Sequence, residues 1–292
     1  MAFLSGLEHF VRANEALAPY LWLRIGGPSE YFAEPTHVDD LSRLVERCAE
    51  EDMPIRMLGG GSNILARSEG VPGVVIHGSA AAFAEIRVEG QEVVAGGGAK
   101  LSHLVSTCVG DGLGGLESLV GIPGTVGGAL HGNAGAEGTD IGQCCVEATV
   151  MTRTGKILTR TADDLRFSYR KSSLDELVIL SARLRLEQED PAELARRMQK
   201  VWIVRRSHQP AREWGTGCVF KDPQGSLAAD IIEQVGLKGT RVGGVEVSDV
   251  NANFITVGQG ATSDDVRRLI DLIRGRVTES LGMDLEVQLE IW

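Results

Sequence analysis

Two glycine-rich runs and two isolated reactive side chains are the parts of this sequence whose residue types and spacing could do chemistry. The first run is Met57-Leu58-Gly59-Gly60-Gly61-Ser62-Asn63-Ile64-Leu65. The second is Gly121-Ile122-Pro123-Gly124-Thr125-Val126-Gly127-Gly128-Ala129-Leu130-His131-Gly132-Asn133-Ala134-Gly135-Ala136. Segments this poor in side chains build no core of their own. They suit a backbone that approaches a ligand closely, through positive φ angles that only glycine adopts cheaply. In the first run, successive N–H groups after a strand can form a nest for phosphate oxygens, with Ser62 and Asn63 adding donors. It is not a GxGxxG turn opening a long helix, so a doubly wound dinucleotide fold is disfavoured. Alone, the first run is equally well a plain tight turn; the second run tips the reading toward a large, phosphate-bearing cofactor.

Of the isolated side chains, Arg170 lies in Tyr169-Arg170-Lys171-Ser172, at the end of a polar stretch. A guanidinium there can clamp a carboxylate or phosphate through two parallel hydrogen bonds, although a solvated surface arginine is the commoner state of such a pair. Cys218 lies in Gly215-Thr216-Gly217-Cys218-Val219-Phe220-Lys221-Asp222-Pro223. A lone cysteine is usually a small buried hydrophobe; one beside glycine on a loop is a better candidate for chemistry. His131 can meet a ligand but is more often structural, and Cys144 and Cys145 read as strand packing.

The elements that must position these groups are short and alternate between strand and helix. Leu41, Leu44, Val45 and Cys48 recur at helical spacing over 38–49, and Pro54 separates that helix from a strand at Ile55 and Met57 running into the first glycine loop. Val74-Val75-Ile76 reads as a buried strand, and residues 85–94 as a hairpin turning at Gly90. A helix over 101–109 leads toward the second loop, and a further hairpin turns at Thr154-Gly155. After the strand at 177–184, Asp190 and Pro191 supply the N-cap and first position of a helix running to about Arg206. Beyond Pro210 a compact α/β unit has its clearest helix at 263–281, with Val266, Leu269, Ile270, Ile273 and Val277 on one face. The closing stretch Leu285 to Ile291 alternates as a strand should. The expected architecture is an α+β body over residues 1–188 followed by a smaller α/β domain over 189–292.

Composition adds bounds. The 292 residues, 43% hydrophobic and 24% charged, are those of a soluble globular chain of about two domains. A net charge of −11 argues against nucleic acid or an anionic membrane surface as a general partner, while leaving room for a local basic pocket. Five cysteines, without a CxxC pair, disfavour a disulfide framework or a zinc site and fit a reducing compartment, so no metal is expected. The start Met1-Ala2-Phe3-Leu4-Ser5 lacks a basic leader region, and no apolar run approaches a membrane span, so the expected location is cytoplasmic.

Taken in order, Gly-Gly-Gly-Ser-Asn, Ile-Pro-Gly-Thr-Val-Gly-Gly-Ala with Asn133-Ala134-Gly135-Ala136, Tyr-Arg-Lys-Ser, and Gly-Cys-Val-Phe-Lys-Asp-Pro resemble the UDP-N-acetylenolpyruvoylglucosamine reductases. Arg24-Ile25-Gly26-Gly27-Pro28, Gly236-Leu237-Lys238-Gly239 and Asn253-Phe254-Ile255 extend the match over nearly the whole chain, in the more compact of the family's two types. The resemblance implies an FAD-binding body of the vanillyl-alcohol-oxidase or PCMH type, in two parts, followed by the substrate-binding domain. It implies non-covalent FAD held by Gly59, Gly60, Gly61, Ser62, Asn63, Ile122, Pro123 and Gly124, with Asn133 and Gly135 nearby. It also implies NADPH as hydride donor and UDP-N-acetylglucosamine enolpyruvate as substrate, reduced at C3 and protonated at C2 during peptidoglycan precursor synthesis.

By the same resemblance, Arg170 takes the position of the cation that steadies the substrate carboxylate, and Cys218 that of the proton donor, where serine is usual. A thiol is a stronger acid than an alcohol, with a reference pKa of about 8.5, so proton donation survives the exchange; a neighbouring cation such as Arg170 would lower that value. Gln288 stands where the family has a glutamate; it can donate a hydrogen bond but not a proton. On a regular strand Glu286 and Glu290 share its face, each two residues and roughly 7 Å away, out of reach without a bulge or shift. Asp222, Asn251 and Val257 replace asparagine, histidine and asparagine. Asp222 would repel a bound pyrophosphate unless Lys221 or another cation offsets it. These departures leave open a diverged FAD-binding homologue with another substrate, or a non-catalytic binding role.

Overall fold

The computed structural model of the chain describes residues 3–136, 138–210 and 215–292. Its contacts divide into two compact units. The first comprises the N-terminal residues through Asn14 together with Glu30–Gly60 and Pro72–Val204; the second comprises Glu15–Ser29, Gly61–Val71 and Arg205–Trp292. The chain thus leaves the second unit and returns to it, and the first glycine run is divided between Gly60 and Gly61.

The first unit has two sheets. One has the strand order Val11–Ala16, Pro28–Ala33, Val71–His77, Ile55–Leu58, the last two strands running parallel with Leu58 opposite His77. The helix Val38–Glu50 carries the apolar stripe that the sequence predicts, with Leu41, Leu44, Val45 and Cys48 all buried. They pack with Val74, Ile76 and Phe83 into one core. The other sheet has five antiparallel strands in the order Ile157–Thr161, Cys145–Met151, Val178–Arg185, Glu92–Gly96, Ile86–Glu89. Both expected hairpins are present, with Gly90 at φ +69° and Gly155 at φ +79° in their turns. The helices Leu101–Gly110 and Val126–His131 pack with these strands in a second core. Asp190 Oδ1 accepts from the N–H groups of Ala192 and Glu193, capping the helix Pro191–Ser207 as its sequence requires.

The second unit has a four-stranded antiparallel sheet, in the order Thr216–Cys218, Phe254–Val257, Val245–Val247, Arg241–Val242. The helices Ala228–Gln234 and Ser263–Leu281 share its core. All five residues expected on the apolar face of the long helix are buried. The α+β class read from the sequence is the class observed. Among the described residues no helix is long and apolar enough to cross a membrane.

Two strands lie outside the sequence reading, and one expectation needs correction. The strands Val11–Ala16 and Pro28–Ala33 escape the sequence reading because Val-Arg-Ala-Asn-Glu-Ala shows little alternation and carries Asn14 at φ +54°. The closing segment is not a continuous strand over 285–291. Val287 makes a single antiparallel bridge to Phe220, and only Glu290–Ile291 forms a strand, parallel to Ile64–Leu65. The N–H groups of Gln288 and Leu289 both point at the Val219 carbonyl, at 2.8 and 3.4 Å. Two residues thus oppose one, the pattern of a bulge, and the ladder stops there.

The long helix begins with a reciprocal cap. Thr262 Oγ1 accepts the Asp265 N–H, and the Asp265 carboxylate accepts the Thr262 N–H. That backbone donor, chiefly, holds the Asp265 carboxyl below the ordinary aspartate value of 3.8. A depressed folded value stabilises above the unfolded value and is lost as pH falls through the folded one. The urea midpoint of wild type is therefore expected to fall below about pH 4 more steeply than that of Asp265→Asn. Thr262→Ala should cost about 1 kcal/mol at neutral pH, measured by urea unfolding.

Candidate functional site

The first glycine run is shaped by how closely main chains meet. In the first unit, a Cβ on Gly59 would lie 2.7 Å from Thr125 Oγ1, and one on Gly60 would lie 2.6 Å from Gly124 Cα. The two glycine-rich runs therefore touch backbone to backbone, with no room for a side chain between them. Gly124 is fixed in turn, since its carbonyl accepts the Leu101 N–H at 3.1 Å. Thr125 Oγ1 caps the helix Val126–His131 by accepting the Gly128 N–H. Ile122 donates its N–H to the Leu119 carbonyl, placing Pro123 and Gly124 at the exit of a tight turn. In the second unit, Gly61 has φ +65° and its Cβ would meet the Tyr20 carbonyl at 2.2 Å. The sequence reading ascribes these glycines to a ligand; close packing of the chain against itself already requires them. Among the described residues, the N–H groups of Gly59 and Gly60 in the first unit, and of Asn63 in the second, have no protein acceptor. No acidic residue lies in either run.

The second run also carries the hairpin of Arg170. That hairpin pairs Phe167–Ser168 with Lys171–Ser172, leaving Tyr169 and Arg170 as its two turn residues. Arg170 has φ +55°, in the left-handed region that few non-glycine residues enter. Its Nη1 donates to the Gly135 carbonyl at 3.3 Å, and its Nε is buried with no hydrogen-bond partner among the described residues. The guanidinium lies 5.5 Å from the Tyr169 ring. Asn133 is 3% exposed, and both ends of its amide are engaged. Nδ2 donates to the Ser168 carbonyl at 2.9 Å, and Oδ1 accepts the Gly142 N–H at 3.1 Å. The structural reading of His131 holds, since its Nδ1 donates to the Leu174 carbonyl at 2.9 Å.

In the second unit, Cys218 ends the strand Thr216–Cys218, opposite Phe254, with Sγ 3.9 Å from the Phe220 carbonyl. It is half-buried, as is Cys144, whereas Cys48, Cys108 and Cys145 are buried. Burial pushes Cys48 and Cys108 up to about 12, and Cys144 and Cys145 up to about 11. After Cys218 the backbone is held on both edges. Asn253 Oδ1 accepts the Phe220 N–H while its Nδ2 donates to the Phe220 carbonyl, each at 2.9 Å. On the other edge, Lys221 N donates to the Glu286 carbonyl and Gln288 N to the Val219 carbonyl. Asn63 Nδ2 donates to the Gln288 carbonyl at 2.9 Å, and its own carbonyl accepts the Glu290 N–H. The Gln288 carboxamide itself makes no hydrogen bond among the described residues.

The substituted positions have partners of their own. Asp222 Oδ1 accepts the Ala228 N–H at the start of a helix, where a carboxylate meets the positive end of the dipole. Lys221 Nζ lies 2.6 Å from Glu286 Oε1, so it is not directed at Asp222. Asn251 bridges the His208 carbonyl and the Asn253 N–H. Val257 packs at the edge of the core. Asn253 has no local signal in the sequence, because its partner Phe220 is 33 residues away.

Each unit thus gathers its own set: Gly59, Gly60, Ile122, Pro123, Gly124, Asn133, Gly135 and Arg170 in the first, and Gly61, Ser62, Asn63, Cys218 and Gln288 in the second. Among the described residues no cluster of three or more His, Cys, Asp or Glu could hold a metal ion.

Known proteins similar to this chain cover its full length. The family described as FAD binding domain matches residues 29–161, and the C-terminal domain of UDP-N-acetylenolpyruvoylglucosamine reductase matches residues 209–292. The UDP-N-acetylenolpyruvoylglucosamine reductase of Rhodopirellula baltica is 41% identical over 99% of this chain and 95% of that protein. The one from Bacillus subtilis is 36% identical over 96% and 93%. The crystal structure of the Thermus caldophilus reductase superposes with a TM-score of 0.82 at 35% identity, covering 97% of this chain and 100% of that one. The Bermuda grass isoallergen BG60, at 15% identity and a TM-score of 0.50 over 97% of this chain and 59% of that one, shares the fold alone.

Gly60→Ala is expected to force the two loops apart and to lower stability by about 1–3 kcal/mol, as overpacking does. Gly110→Ala, at the end of a helix with nothing within 4 Å of the added Cβ, is the control and should be neutral or stabilising. Urea midpoints of the two variants check both.

Proposed function

The chain belongs to the UDP-N-acetylenolpyruvoylglucosamine reductase family, and from that premise we propose that it reduces UDP-N-acetylglucosamine enolpyruvate to UDP-N-acetylmuramate. FAD is the resident group, NADPH the hydride source, and the setting peptidoglycan precursor synthesis in the cytoplasm. Functionally, residues 1–188 form the FAD-binding region and residues 189–292 the substrate-binding domain. The family matches at 29–161 and 209–292 support this division, each falling on one side of it.

The residues present fit FAD. The N–H groups of Gly59, Gly60 and Asn63 that lack protein acceptors suit a pyrophosphate, joined by Gly61 and Ser62. Ile122, Pro123 and Gly124 form the neighbouring wall; Asn133 and Gly135 contribute backbone, since the Asn133 side chain is engaged elsewhere. When bound, FAD supplies two-electron chemistry linking the oxidation of NADPH to the reduction of the enolpyruvyl double bond.

The remaining chemistry is a problem of charge and of one proton. A hydride arriving at C3 leaves negative charge at C2 that spreads into the adjacent carboxylate. Arg170 faces that carboxylate as a fixed cation. Its buried Nε, without a partner among the described residues, is the observation that carries the reading, because a buried donor on a cation calls for an acceptor such as a carboxylate. Cys218 gives its Sγ proton to C2, and the thiolate is reprotonated from solvent before the next turnover. Gln288 donates a carboxamide hydrogen bond to the developing charge, with its backbone pinned by Asn63 and Val219. Asp222 is engaged by the Ala228 N–H at the start of a helix.

Gln288 at the glutamate position also favours a second reading, a diverged FAD-binding homologue with another substrate or without catalysis. An anaerobic flavin spectrum separates the two. NADPH should bleach the flavin and the UDP-sugar enolpyruvate should restore it promptly; bleaching without recovery would overturn the assigned substrate.

In stopped-flow measurements of the two half-reactions, Cys218→Ala should slow flavin reoxidation about 10²–10⁴-fold and leave reduction by NADPH unchanged. Cys218→Ser should remain within about tenfold of wild type, because serine keeps a transferable proton. Arg170→Ala should slow reoxidation about 10²–10³-fold, the effect of losing one preorganised donor.

A further inference from the structure

We propose that Asn133 is a positioning residue for Arg170, acting through the hairpin backbone rather than by touching a ligand; this rests on the role given to Arg170 above. Asn133 holds the carbonyl of Ser168, the residue directly before the two-residue turn, and Gly142 N–H holds the other end of its amide. Two residues along the same segment, the Gly135 carbonyl receives Arg170 Nη1. One short stretch of chain therefore fixes both the base of the turn and the guanidinium it displays. Asn133 is itself at φ +42° and donates its N–H to the Leu130 carbonyl, which sets the amide toward the hairpin.

The hairpin needs such an anchor. It has only two residue pairs, and it keeps Arg170 at φ +55°, a conformation that persists only where surrounding structure over-determines it. Ser172 Oγ, donating to the His131 carbonyl at 2.8 Å, supplies a second tie from the other strand. With Nη1 engaged and Nε buried without a partner, the guanidinium has little freedom to relax toward solvent.

Asn133→Asp tests this without emptying the site. The carboxylate still accepts the Gly142 N–H but turns an acceptor toward the Ser168 carbonyl. In the holoenzyme, flavin reoxidation by the UDP-sugar enolpyruvate should slow about 10²-fold, the effect of misplacing a catalytic group by an ångström, and by a clearly larger factor than NADPH bleaching of the bound flavin. Trypsin should cut after Arg170 faster than in wild type, and Ser172→Ala should shift both readouts the same way by a smaller amount. In an Arg170→Ala background, Asn133→Asp should slow reoxidation no further. A full additional loss in that background, equal slowing of both half-reactions, or loss of flavin would overturn the inference. So would a wild-type reoxidation rate in Asn133→Asp while Arg170→Ala is impaired, and that result spares the role of Arg170. Arg170→Ala reoxidising at the wild-type rate would remove both.

Discussion

The contact that the first unit depends on is between two main chains, where the Gly60 backbone meets the Gly124 backbone at a distance that admits no Cβ. Everything downstream in the second run follows from where that contact puts it. Gly124 and Thr125 are held to the start of the helix Leu101–Gly110, and Thr125 begins the helix that ends at His131. Asn133 and Gly135 follow within one turn's length and grip the hairpin of Arg170. A chain of backbone contacts and short side-chain hydrogen bonds therefore runs from a loop with spare N–H donors to an arginine with a spare donor. Both are suited to anions. Preorganisation of this kind matters, because a donor fixed before the reaction needs no rearrangement while charge develops.

The second unit is organised around Phe220 instead. Asn253 closes on its N–H and carbonyl together, while Gln288 and Glu286 pair with the residues on either side. Cys218 and Gln288 are thus carried on adjacent strands of backbone whose register is set by a buried amide. The charges around them are of two strengths. Asp222 is committed to a helix terminus by a 2.8 Å hydrogen bond. The Lys221–Glu286 pair is weak by comparison: the glutamate side chain is 71% exposed, and such pairs contribute about 0–1 kcal/mol.

Helices were legible in the sequence because their evidence is local. Leu41, Leu44, Val45 and Cys48 lie within one helix, and periodicity alone identifies the face they bury. The same holds for the long C-terminal helix and for the Asp190 cap. The closing segment was legible only in outline. Its alternation is real, with Leu285 and Leu289 buried, but the ladder is interrupted because two N–H groups share the carbonyl of Val219, some seventy residues earlier in the chain. No pattern within 285–291 encodes that.

By itself, then, the sequence determined which residues are candidates: two glycine runs, Arg170, Cys218 and Gln288, in an order that resembles one reductase family over almost the whole chain. Tertiary structure decided which partners those residues have. It showed that Gly60 is glycine because Gly124 is there, that the amide of Asn133 faces Ser168, 35 residues away, and that Asn63 reaches Gln288 across 225 residues. The physical reason is separation along the chain. Propensity, capping and periodicity act over a few residues and are written where they act, whereas a buried hydrogen bond or a forbidden Cβ depends on a partner brought near only by folding.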